Sequence, residues 1–237
     1  MNLNYAFMWH DIPTVLKGLP VTLALTFISL FFAIVIAVLF GIVILRNIPV
    51  LKQLVVAFNT FIKGIPLVVQ LLFCYYAIPY VLKVCNGFMG YMYDPKHPNY
   101  FAFAVVAFAF NYGAYMTDVV LSSYRAVDPG QLEAAYSIGM TKLQAMLRIV
   151  IPQAAVISIP NMSNYFMWLL KATSLASVVN VFELLAVARA STAVNYAILE
   201  GYLVAAGIYW VVCIAAERAL KYLNKKVNRY QKQLTAA

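Results

Sequence analysis

The sequence predicts an all-α membrane protein with five spanning helices, and three observations carry that expectation. First, 64% of the 237 residues are hydrophobic and only 11% are charged, against about 45–50% and about 25% in an average soluble domain. A water-soluble fold of this size has too much exterior to hide so much apolar surface, and a bilayer removes the conflict. Second, the apolar residues gather into five runs, each near the roughly 20 residues that cross a membrane as a helix. Third, Lys and Arg flank those runs instead of forming an aromatic-interleaved patch. The net charge of +9 is therefore read as a topology signal, and nucleic acid is not an expected partner. The length suits one transmembrane domain over residues 1–237.

Residues 1–20 contain Trp9, His10, Asp11 and Pro13, with no basic segment leading a short apolar core. They read as an amphipathic segment lying on the membrane, not as a cleavable signal peptide. Val21–Leu45 is an uncharged run ending at Arg46. Gly64–Leu82, between Lys63 and Lys83, is the second, with Pro66 and Pro79 inside it. Tyr100 to about Tyr124 is the third and holds Asp118; Val156 to about Phe182 is the fourth and holds Lys171. The fifth runs from about Tyr196 to Ala216, with Glu200 near its start.

Five spans put the termini on opposite sides, and the basic residues choose the sides. A cytoplasmic C-terminus places Arg46, Lys52 and Lys63 in one inner loop and Arg125, Lys142 and Arg148 in the next. The tail at 218–237 adds Arg218, Lys221, Lys225, Lys226, Arg229 and Lys232, so 12 of the 17 basic residues lie inside. Lys17, Lys83 and Lys96 fall outside, and Lys171 and Arg189 lie in or beside the last two spans. The expected location is the cytoplasmic membrane, with the N-terminus outside.

The inner segment 125–155 is far longer than the 2–8 residues that commonly join helices, and its composition is helical. Asp128-Pro129-Gly130 combines a capping residue with a proline suited to the first helical turn. Leu132, Ala135 and Tyr136 recur at helical spacing, Gly139 interrupts, and Leu143, Met146, Leu147 and Val150 form a second apolar stripe, which Pro152 is expected to end. An apolar-faced hairpin kept in water is a docking element.

That segment reads Glu133-Ala134-Ala135, three residues, Gly139, nine residues, Ile149-Val150-Ile151-Pro152. It resembles the EAA loop of ABC importer permeases, with Ile151 where leucine is usual. Gly18-Leu19-Pro20-Val21-Thr22-Leu23, Lys63-Gly64-Ile65-Pro66-Leu67-Val68-Val69-Gln70 and Lys171-Ala172-Thr173-Ser174-Leu175 are similar to stretches of the polar-amino-acid (histidine/glutamine-type) branch. Ile65 and Ala172 depart from that branch's Thr and Asp. The resemblance runs from about Gly18 to Leu223. It implies a type I importer permease fold, working as a dimer with a second copy or a paralogue. It further implies a cytoplasmic ATPase docked on the hairpin through Glu133, Ala134, Ala135, Gly139, Ile149 and Pro152. On the same resemblance, an extracytoplasmic solute-binding protein is expected to deliver a polar amino acid, which moves inward by alternating access. No phosphate-binding G-x-x-x-x-G-K-[ST] occurs in the chain. No cofactor is therefore expected here, with ATP and magnesium on the partner ATPase.

Ionisable residues at membrane depth are costly and face protein or water. Lys171 lies about 22 Å along its span; it reads equally as a cavity-facing cation that attracts a carboxylate and as a snorkelling or structurally paired residue. Thr173 and Ser174 either meet a ligand or bond their own helix carbonyls, the commoner use. Asp118 reads as a structural or gating ion pair before a ligand group. Glu183 is set either against Arg189 or against solvent. Gln70, four residues past Pro66, and Asn164, with Asn161, either line a polar pocket or bridge helices. These residues, Gln70, Asp118, Asn164, Lys171, Thr173, Ser174 and Glu183, are the candidates for a substrate path. Tyr75, Tyr76 and Tyr80, near the outer end of the second span, either sandwich an amino acid or, as the commoner use, anchor at the membrane interface.

Nothing points to catalysis. His10 and His97 support no nucleophile–base set, and Cys74, Cys85 and Cys213 have no metal-ligand spacing. Two rivals compete with the importer subunit: an ion-coupled secondary transporter and a membrane adaptor that recruits an ATPase. Five spans do not divide into the inverted halves usual in the former, and no repeat is visible.

Overall fold

The computed structural model describes residues 3–89, 97–193 and 195–236, with side chains at 3–86, 97–193 and 195–227. Lys96 and the side chains of Arg229 and Lys232 lie outside those limits. Ten α-helices carry the described chain: α1 Tyr5–Leu16, α2 Leu19–Leu45, α3 Leu51–Gly64, α4 Leu67–Met89, α5 Tyr100–Arg125, α6 Pro129–Ser137, α7 Lys142–Ala145, α8 Ile151–Ala172, α9 Leu184–Thr192 and α10 Ile198–Ala236. Five stretches are long and apolar enough to cross a membrane, within α2, α4, α5, α7–α8 and α10.

The hub is α5. About 67% of its most apolar window is buried, against 11–22% in the other spans. Its main partner is α2, whose buried face is Thr22, Leu25, Thr26, Ser29, Ala33, Ala37 and Gly41. That spacing is one helical stripe, and all its residues but Leu25 are small, which suits helix packing where no hydrophobic effect draws helices together. The approach is close enough that a Cβ on Gly113 would lie 2.8 Å from Ile36, and one on Gly41 would lie 2.7 Å from Val120. The opposite face of α2 exposes Phe27, Phe31, Phe32 and Leu39, as a lipid-facing surface does.

Two features differ from the sequence expectation. The stretch 46–63, expected as a loop, contains the amphipathic helix α3, which buries Val55 and Asn59. It ends at Ile65, held extended (φ −109°, ψ 133°) because the residue before a proline avoids helical backbone. The second span therefore starts at Leu67, three residues after the expected Gly64, and continues to Met89.

Pro152 does not end the second stripe of the hairpin. Helix runs unbroken from Lys142 through α7, a π-helical turn at Met146–Val150, and α8. The Ile151 N–H bonds to Met146 O, five residues back. The wider turn lets a residue without an N–H enter the helix, as π-bulges accommodate irregularity elsewhere. A 3₁₀ turn at Thr173–Val179 closes the span, and Asn180 reverses the chain at φ 57°.

At one end of the bundle α1 packs on α9 and α10. The buried Asp11 carboxylate accepts a 2.8 Å hydrogen bond from the Ser191 hydroxyl. At the other end lie Arg46, Arg125, the α6–α7 hairpin and the C-terminal half of α10. With 39 residues, α10 is about 58 Å long and outruns a hydrocarbon core of about 30 Å.

Candidate functional site

The hairpin is built from local signals. The Asp128 carboxylate accepts the Gly130 N–H at 2.8 Å and caps α6. Gly139 takes φ +81°, a conformation glycine adopts at no steric cost. Thr141 and Gln144 then form a reciprocal capping box for α7. Ala135, Ala145 and Val150 are buried where the two arms pack. Glu133, Ala134 and Pro152 are exposed, and Ile149 is half-buried in the π turn. The outer surface is apolar: Ile138 is 74% exposed, and Leu143, Leu147 and Tyr136 accompany it.

The polar residues of the spans divide into satisfied and open ones. Gln70 is satisfied: its Nε2 donates to Ile62 O (2.7 Å) and Ile65 O (2.9 Å), and its Oε1 accepts from Asn111 Nδ2 (3.3 Å). It thereby serves the orphan carbonyls at the end of α3 and ties α4 to α5. Asp118 pairs with Lys63 at 2.7 Å, and the Lys63 ammonium lies 5.7 Å from the Tyr115 ring centroid. Tyr115 stacks on Tyr165 of α8, which meets Trp168 edge-on.

Glu183 does not pair with Arg189. It is fully buried and caps α9, accepting the N–H groups of Leu185 (3.0 Å) and Ala186 (2.8 Å) and the Tyr209 hydroxyl (2.7 Å). The Leu184 N–H bonds to Thr22 Oγ1 at 3.1 Å. The first three N–H groups of the helix thus all find side-chain acceptors. In this connection between the last two spans, burial pushes the Glu183 carboxyl up from the ordinary range, while the hydrogen bonds from Leu185, Tyr209 and Ala186 hold it down. Thr173 joins the same buried group, donating to Leu170 O at 2.7 Å and lying 3.4 Å from the Tyr209 hydroxyl. Ser174 donates to Lys171 O at 2.9 Å.

The open residues share one face. Asn161, Asn164, Trp168 and Lys171 are exposed at helical spacing on α8. Lys171 and Ser174 line a cavity of about 570 Å³ against α10, whose wall carries Tyr209, Cys213 and Glu217. A polar stripe on a spanning helix must meet water or another protein surface. Nothing in the sequence singles out Asn111, Tyr209 or Glu217, and Lys63 reads there as a topology charge and as the first residue of a family-like stretch, not as the partner of Asp118.

Compared with known proteins, residues 33–229 match the model of the binding-protein-dependent transport system inner membrane component. The chain belongs to that family. It is a multi-pass permease of the inner membrane, built on the ABC importer fold. Over 97% of its length this permease is 31% identical to a probable amino-acid ABC transporter permease protein, PatM, of Vibrio harveyi, covering 98% of that protein. It is 34% identical to the L-cystine transport system permease protein TcyB of Bacillus subtilis, over 97% of this chain and 95% of that one. An amino acid ABC transporter crystallised with histidines superposes with a TM-score of 0.81 at 30% identity, over 95% of this chain and 100% of that one. An inward-facing MetNI methionine ABC transporter shares the fold at 17% identity, with a TM-score of 0.65 over 93% of this chain and 99% of its own.

Proposed function

We propose that this permease is the membrane subunit of an ATP-driven importer for a polar amino acid, coupled to a separate ATPase through α6 and α7. The observation that carries the coupling is the hairpin: capped at both arms, turned at Gly139 and apolar on its outer surface, beyond the end of the spans. Such a surface outside a bilayer needs a partner. With 12 of the 17 basic residues at the hairpin end, that end faces the cytoplasm, where the ATPase binds ATP and magnesium. Relatives named as amino-acid and cystine permeases support the substrate class.

In this reading two permease subunits enclose the path, and the polar face of α8 lines it. A solute-binding protein loads substrate at the end where α1 and α9 lie. ATP-driven closure of the ATPases moves the hairpins, and the helices continuous with them move as rigid rods. The unbroken helix from the hairpin into the fourth span supports this transmission. The test is uptake into vesicles carrying the whole complex. ATP inside with loaded binding protein outside drives uptake in this account; uptake that ignores ATP and follows an ion gradient contradicts it.

A further inference from the structure

We propose that the apolar groove between α2, α8 and α10 holds an anionic phospholipid of the cytoplasmic leaflet, with an acyl chain between the helices and the phosphate at Lys226. The site takes only its leaflet from the importer reading above. The groove encloses about 710 Å³, within the roughly 300–1,000 Å³ of small-molecule sites. Ala215, Ala216 and Ala219 of α10 leave it open. Phe27 of α2 and Phe166 of α8 wall it, their ring centroids 5.6 Å apart. Ser163 is the only polar residue among the described ones that line it. Water finds too few partners in such a place, and an empty groove forfeits dispersion contacts that a hydrocarbon chain supplies.

The groove opens toward lipid. Its α8 residues Ile159, Ser163, Phe166 and Leu170 recur at helical spacing, away from the polar face of Asn161, Asn164, Trp168 and Lys171. On α2, Phe27 belongs to the exposed apolar face. Along α10 the groove runs from Val211 to Leu220, about 14 Å, close to one leaflet's share of a hydrocarbon core of about 30 Å.

Positive charge lies at one end of it. Residues 217–226 of α10 carry Arg218, Lys221, Lys225 and Lys226 against Glu217 alone, and Lys221 is paired with that acid at 2.7 Å. Val212, Ala219 and Lys226 are seven apart and share one face of α10. Lys226 therefore stands in line with the groove, about 10 Å past Ala219. It is exposed, and no described carboxylate lies within salt-bridge distance of it. Helical Cα–Cβ bonds tilt toward the N-terminus, so its long side chain reaches back toward the groove. One turn beyond Leu220, Asn224 Oδ1 lies 3.3 Å from the Ser163 hydroxyl, which leaves the Asn224 amide nitrogen without a described partner. The ammonium and that amide are donors for phosphate and ester oxygens, and basic sites between spanning helices at the cytoplasmic side suit anionic headgroups.

The test is native mass spectrometry of the purified complex carrying the full chain, titrated with dioleoyl phosphatidylglycerol or dioleoyl phosphatidylethanolamine. The expected result is one retained phosphatidylglycerol per copy of this chain, bound about fivefold more tightly than the ethanolamine lipid, the effect of one basic side chain near an anionic headgroup. Lys226→Gln removes that preference, while Lys225→Gln, at an exposed position on another face of the same helix, leaves it. Ala219→Trp fills the groove and lowers retention of both lipids. Equal affinity for the two lipids, or equal effects of the two lysine substitutions, overturns the site in favour of diffuse attraction to a basic helix. Unchanged retention in Ala219→Trp puts the lipid elsewhere and also overturns it, as does an intact complex that retains no phospholipid because a second copy covers the groove. Lipid retention is read without ATP, so failure of the site leaves the importer reading standing. Retained lipid in a complex that shows no ATP-driven uptake sinks that reading and keeps the site.

Discussion

The Thr22 hydroxyl accepts the backbone N–H of Leu184 at 3.1 Å, and this single bond fixes the start of the first span to the start of α9, 162 residues later. Gly18, one turn before Thr22, makes the approach possible: a Cβ there would lie 2.7 Å from Leu184 Cα and 2.8 Å from its nitrogen. The Gly-x-x-x-Thr spacing of the chain thus has a structural reading. One residue admits the backbone of α9, and the other caps it. Gly18→Ala must push that backbone aside and is expected to lower Tm and the yield of folded protein. Gly207→Ala meets nothing within 4 Å and is expected to leave Tm unchanged or slightly raised, since Ala is the better helix former. Thermal unfolding of the two variants in one detergent checks the contrast.

Glu183 closes the same joint from the other side. Glu183→Ala removes acceptors from two backbone N–H groups and from the Tyr209 hydroxyl, leaving buried donors unmet. The expected loss is about 2–3 kcal/mol. Tyr209→Phe removes one donor only and is expected to cost about 1 kcal/mol. Chemical denaturation in detergent, followed by tryptophan emission, measures both; equal costs would contradict the capping assignment.

Lys63 and Asp118 invite the opposite expectation. Their side chains are 24% and 65% exposed, so breaking the pair is expected to change stability by less than about 1 kcal/mol. Asp118 is in the third span and Lys63 is on the helix before the second. Asp118→Asn is therefore expected to alter the rate of uptake more than the Tm. The exchange Lys63→Asp with Asp118→Lys restores the pair and recovers uptake if the contact itself matters.

The number of spans was legible because each apolar run satisfies the membrane separately. The hairpin was legible because Asp128, Pro129 and Gly139 act on their own neighbours. The amphipathic α3 was not: its apolar stripe is too short to cross a bilayer, and Lys52 and Lys63 read as loop charges. The π turn before Pro152 was equally hidden, since a proline in isolation marks a helix end. The role of Glu183 was hidden because its partner Tyr209 is 26 residues away and its remaining partners are backbone groups that sequence spacing does not name. Gln70 lacked its partner Asn111 for the same reason. Lys171 keeps both its readings, and the residues that share its cavity, Glu217 and Cys213, lie on α10, more than 40 positions away in the sequence.

Gly139 separates folding from coupling. A Cβ at this position would meet nothing within 4 Å, and the backbone φ is +81°, so substitution strains only the turn, by about 1 kcal/mol. Gly139→Asp is expected to insert and unfold like the parent yet lose energised uptake, because it sets a charge on the apolar docking surface. Normal uptake in that variant would contradict the docking role of the hairpin.

The most direct measurement is recovery of the tagged chain from native membrane in mild detergent, with its partners identified by peptide sequencing. The account predicts an ATPase subunit in the intact complex, lost when Gly139 is replaced by Asp. Reproducible recovery of intact chain with no ATPase would contradict it.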